Sequence, residues 1–162
     1  MDTRQILGID VLMSFVSSIA IAILFIWPWL RNMNRKESLI RLVMPHMFFR
    51  FIGLSFLIPG VTASVLPFAF AAPAAYGDLI AGILAVIATI ALAKGTRQAI
   101  IITWVFNIWG AGDLLFAFYQ GARLQIDAGT LGTTFFIVTA IVPPLLVTHF
   151  LMFRILILKK QS

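Results

Sequence analysis

Asn107 and Asp113 stand inside an apolar stretch, Ala99 to Gly121, that is long enough to cross a bilayer as one helix. A carboxylate near mid-membrane costs roughly 2.5–3.5 kcal/mol on insertion scales, so Asp113 must face protein or water rather than lipid. On a helix, Asn107, Gly110 and Asp113 fall within an arc of about 120°, a polar face of small residues that marks the interior of a bundle. Asp78 begins another apolar run, where the positive end of a helix dipole favours a carboxylate, so capping is its simplest role. If the two helices pack together, Asp78 and Asp113 could also share a proton or bind a cation. Tyr76, Trp109 and Thr139 are the neighbouring groups able to complete a ligand site by hydrogen bonding.

The second cluster rests on the only two histidines, His46 and His149. Counting at 1.5 Å per residue puts them roughly 6 and 7.5 Å inside the same face of a membrane. Facing each other across antiparallel helices, they could be axial ligands of a b-type haem, with Arg50 and Arg154 for its propionates. In topology this is similar to the five-helix haem-bearing membrane subunits of respiratory nitrate reductases. Those carry two histidine pairs, whereas this chain has one, so their two-haem electron transfer does not carry over. The simpler reading makes both histidines interfacial and both arginines snorkelling anchors or lipid-headgroup contacts.

The elements that must position these groups follow from composition. Of 162 residues, 61% are hydrophobic and 11% charged, and mean hydropathy is +1.03. This is an integral membrane composition with no room for a separate soluble domain. The expected fold is an all-α bundle, a single domain of five transmembrane helices near 11–30, 42–61, 76–93, 99–119 and 133–153. The stretch Thr62 to Ala75, broken by Pro67 and Pro73, reads as interfacial or as partly re-entrant, in which case four helices span and this segment dips in.

Basic residues set the orientation. Arg31, Arg35, Lys36 and Arg41 form the densest cluster, and Lys94, Arg97, Arg154, Lys159 and Lys160 fall on the same side. The positive-inside rule therefore puts the N-terminus outside and the C-terminus in the cytoplasm. Trp27 and Trp29 fit an interfacial belt, and Asn34 with Glu37 resembles a helix start. Ala74, Ala81, Ala85 and Ala88 make a small-residue stripe that predicts a central third helix. Pro143-Pro144 should strip hydrogen bonds from the carbonyls of Thr139 and Ala140 and kink the fifth.

The net charge of +6 is spread over short loops, which argues against nucleic acid. Cysteine is absent, which excludes disulfides, thiol catalysis and cysteine-ligated metals. No phosphate-binding, dinucleotide-binding, zinc-protease or nucleophile-elbow motif occurs. The strings PAAYGDL at Pro73 to Leu79 and FNIWGAGDLLFAFYQG at Phe106 to Gly121 resemble those of an uncharacterised family of small bacterial multi-pass inner-membrane proteins. That resemblance implies a bacterial plasma-membrane location and no activity. The reading is of a non-enzymatic membrane protein that binds a lipid or lipophilic small molecule through its polar intramembrane pocket, or packs as an accessory subunit in a homo-oligomer or larger complex. No cofactor is required. The alternatives are the bis-histidine haem subunit, and a membrane enzyme using Asp78 and Asp113 as acid and base on a lipid-like substrate.

Overall fold

The structure, a computed structural model, describes residues 1–158, so Lys159 and Lys160 of the topology argument lie outside the described residues. Five helices are long and apolar enough to cross a membrane: α1 Thr3–Leu30, α2 Arg35–Leu57, α3 Phe68–Lys94, α4 Ala99–Arg123 and α5 Ile137–Leu158. A short helical turn, Ala128–Leu131, lies between α4 and α5.

Local chemistry explains the helix ends. Asp2 caps α1 through a reciprocal box, accepting from the Gln5 backbone at 2.7 Å while its own N–H donates to Gln5 Oε1 at 3.1 Å. Helix α1 therefore starts at Thr3, before the expected Val11. Asn34 caps α2 by accepting from Glu37 N at 2.8 Å. Helix α3 ends in a Schellman motif: Gly95 takes φ +65, and the N–H groups of Gly95 and Thr96 return to Leu92 O and Ala91 O.

Proline acts more gently than expected. Pro73 lies inside α3, which starts at Phe68 rather than Tyr76, so residues 68–75 are continuous helix and the re-entrant segment is overturned. The Ala69 carbonyl, which Pro73 deprives of its usual donor, receives Gln120 Nε2 at 3.4 Å. In α5 the strain before Pro143-Pro144 is absorbed as a π-turn over Ile137–Ile141, where Val142 N–H reaches back to Ile137 O. A matching π-turn, Ala22–Ile26, precedes Pro28 in α1.

Helix α3 is central. Half of its most apolar window is buried, against 6% for α1, and Ala81, Ala85 and Ala88 are each at 0% exposure. Two apolar cores result. One gathers Leu30, Leu39, Leu42, Val43, Leu92, Phe106, Met152 and Ile155. The other gathers Phe56, Phe70, Leu114, Ile126, Leu131 and Leu145 nearer the start of α1. At that end Thr3 Oγ1 donates to Asp127 Oδ2 at 2.8 Å and ties α1 to the loop after α4. The Thr130 backbone N–H, together with Thr3, holds the exposed Asp127 carboxyl below the usual carboxylate range. At the opposite end Arg154 stacks over Trp27 at 3.9 Å, and Arg41 over Trp29 at 4.5 Å. Arg154 therefore holds α5 against α1 rather than attending either histidine.

Candidate functional site, a buried arginine between two aspartates

Between the two cores sits Arg50, fully buried. The snorkelling expectation is thus overturned: its side chain runs into the bundle and meets two carboxylates from other helices. Arg50 Nη1 donates to Asp78 Oδ1 at 2.6 Å and to Asp113 Oδ2 at 2.8 Å. Nη2 donates to Gly110 O at 2.7 Å and to His149 Nε2 at 2.9 Å, and Nε donates to His46 Nδ1 at 3.5 Å. A guanidinium has five N–H donors, and here each finds an acceptor.

The same bonds define the histidine tautomers. His149 accepts from Arg50 on Nε2, so its Nδ1–H donates to Asn107 Oδ1 at 2.7 Å. His46 accepts on Nδ1, so its Nε2–H donates to Thr148 Oγ1 at 2.8 Å, and that hydroxyl passes its own proton to Leu145 O at 2.7 Å. Phe106 packs against both imidazoles, 5.2 Å from each centroid. Asn107 Nδ2 is buried without a hydrogen-bond partner, a cost of about 1–3 kcal/mol by the usual reckoning.

Glycines make the room. A Cβ on Gly53 would fall on the Asp78 carboxylate and one on Gly77 on the Asp113 carboxylate. One on Gly110 would lie 2.5 Å from the His149 ring. Close approach of backbone to a charged group is thus built into α2, α3 and α4. In α2 the whole stretch Arg50–Leu57 is wound as a 3-10 helix, longer than such runs usually are.

Asp78 is ten residues beyond Phe68 and Asp113 ten residues before Arg123. Both therefore lie about 15 Å from the same end of the bundle, half of a hydrocarbon core of about 30 Å. Asp78 is consequently no helix cap. From this charged centre a cavity of about 450 Å³ opens toward the start of α1. Its walls include Leu7 and Val11 of α1, Phe70 of α3, Phe118 of α4 and Val138 of α5. Asp78 and Asp113 form its floor, and Arg4 and Gln125 stand at its rim, 3.5 Å apart between Nη2 and Oε1. Away from the floor the first core closes the bundle.

Of the residues singled out from sequence, Asp78, Asp113, Asn107, Arg50, His46 and His149 converge in one network. Tyr76 points outward at 54% exposure. Trp109 only borders the site, its indole N–H donating to Gly77 O at 3.3 Å. Thr139 bonds back to Phe135 O at 2.9 Å within its own helix. The paired histidines lie at matching depth, but their ring centroids are 4.3 Å apart and both Nε2 atoms are engaged. Iron ligation needs two free nitrogens on opposite faces of a macrocycle, with a ring-sized gap between them. These residues do not fit a haem, and Gly110, the glycine beside His149, is filled by Arg50 and the imidazole rather than opening such a gap. Sequence reasoning passed over Gly53 and Thr148, whereas Gly77 was legible as a point of close backbone approach beside the alanine stripe.

Fold and site together define a five-helix bundle, apolar enough for a membrane, with an arginine-centred ion-pair network at mid-length and a cavity on one side of it. The chain belongs to the family described as Domain of unknown function (DUF8737), which it matches over residues 6–157. No curated protein and no solved structure matches it.

Proposed function

We propose that this chain is an integral protein of the bacterial inner membrane, N-terminus outside, and that its cavity binds a lipophilic small molecule. One observation carries this reading: a cavity of about 450 Å³ with apolar walls ends on two buried carboxylates. That volume lies in the range of sites for drug-sized ligands, and a few convergent polar groups in an apolar cleft are what orient such ligands. Ionisable residues inside a membrane bundle are expensive even when paired, and they mark a functional site by default. Positive-inside orientation puts the cavity mouth on the outer side. The first core closes the inner half, which favours binding over conduction.

Convergence of Asp78 and Asp113 on a cavity is also what acid–base catalysis would need. Binding is the better reading, because both carboxylates accept from Arg50 Nη1 and every donor of that guanidinium is spent within the protein.

Native mass spectrometry of gently solubilised protein tests the proposal. We expect a retained small molecule or lipid on the wild type, lost in Ala117→Trp, which fills the cavity from its α4 wall. Equal retention by both proteins, or none by either, would contradict it.

A further inference from the structure

The chemistry of the cavity floor narrows what it can hold. Each carboxylate gives one oxygen to Arg50 Nη1, and neither Asp78 Oδ2 nor Asp113 Oδ1 takes a hydrogen bond from any described residue. Asp78 Oδ2 lies beside Gly53 and Asp113 Oδ1 beside Gly77, and neither is among the sealed, unpartnered atoms of the interior, so both stay open to a guest. The guanidinium has no N–H left to offer, because its five donors already serve Asp78, Asp113, Gly110, His149 and His46. With both carboxylates ionised, the floor is therefore acceptor-only. A phosphate, a carboxylate or a quinone carbonyl arriving there would find oxygens and no donor, and would lose its hydration without compensation. As formal charges, one guanidinium between two carboxylates leaves one negative charge unbalanced.

Resting on the binding reading above, we infer that the ligand is a protonated amine on an apolar body, its ammonium seated against Asp78 and Asp113. An ammonium carries the positive charge and the donors that this floor lacks. Its apolar part lies along the wall toward the rim: from Asp113 to Ala122 of α4 is nine residues, about 13 Å of helix. The cationic Arg4 stands at that far rim, well removed from the ammonium seat. The amine has two sources, a free lipophilic amine and the headgroup of an aminophospholipid, and both share this chemistry.

An isosteric series separates head from body: 1-adamantylamine, 1-adamantanol and 1-adamantanecarboxylate, titrated calorimetrically into protein in phosphatidylcholine nanodiscs. The amine is expected to bind at least about tenfold more tightly than the alcohol and the carboxylate, as a charge-assisted bond to a buried carboxylate requires. Asp113→Asn should erase that preference by weakening the amine at least about tenfold more than the alcohol, and Ala117→Trp should weaken all three. Because both carboxylates pair with Arg50, Asp78→Asn is measured beside Asp113→Asn with the same expectation, and thermal unfolding of each variant establishes that the bundle being titrated is folded. Competition by phosphatidylethanolamine in the discs would support the amine chemistry and assign it to a lipid headgroup; no competition would assign it to a free amine. Equal affinity of amine and alcohol, or tighter binding of the carboxylate, would overturn the amine inference while leaving the cavity reading intact. No binding of any head would overturn both.

Discussion

Arg50→Met is expected to destabilise the folded bundle by about 3–5 kcal/mol, the range for stranding buried charge by removing one partner. The side chain is fully buried and is the only group donating to Asp78 and Asp113 among the described residues. Its loss leaves two carboxylates facing each other at mid-bundle and takes a donor from Gly110 O and from both histidines. Arg50→Lys is expected to fall between, since an ammonium has three donors where five acceptors wait. The triple variant Arg50→Met, Asp78→Asn, Asp113→Asn should recover most of the loss, because neutralising a whole buried network costs far less than breaking it. Denaturant titration of the purified proteins in mild detergent measures all three. If Arg50→Met were as stable as wild type, the three charges would not be paired.

Gly77→Ala should cost about 1–3 kcal/mol through overpacking, because its methyl group would occupy the position of the Asp113 carboxylate and push that side chain off Arg50. Gly112→Ala supplies the control on α4. Nothing lies within 4 Å of its Cβ position, so the substitution should be neutral or gain up to about 1 kcal/mol from lower chain entropy in the unfolded state. Gly110→Ala, two residues away but facing His149 and Arg50, should behave like Gly77→Ala. Thermal unfolding of the three variants gives the comparison. Equal melting temperatures for Gly77→Ala and Gly112→Ala would mean that α3 and α4 do not pack as described.

The five helices were legible because their apolar length has no other reading in a chain of this composition. Their ends were less so. Thr3, Arg4 and Gln5 look like a polar tail until the Asp2–Gln5 capping box is noticed. Pro73 looks like a breaker because the donor that spares its turn, Gln120, is 47 residues away in the chain. At the site, the insertion cost that marked Asp113 as inward-facing applies equally to Arg50. Treating Arg50 as a snorkelling anchor was sound for one helix alone, where its long stem could reach the surface. What turned it inward was the pair of carboxylates on α3 and α4, a balance of charge between helices rather than a pattern within one. That the two histidines face each other at one level was legible, but they lie beside Arg50 at mid-bundle rather than near a membrane face, and spacing along a helix does not reveal that the gap between their rings is already closed.

In the proposed orientation the cavity reaches its charged floor from the outer side of the membrane alone. The chain contains no cysteine, so single thiols can be introduced without background. Ala117→Cys places a thiol on the cavity wall one helical turn above Asp113, and Ala85→Cys places one in the closed core. Labelling with a membrane-impermeant maleimide in right-side-out and inside-out vesicles should modify Ala117→Cys only from the outer face, more slowly when 1-adamantylamine is present, and leave Ala85→Cys untouched. Reaction of Ala117→Cys only from the cytoplasmic face, or its protection while a rim thiol at Gln125 reacts freely, would contradict the account.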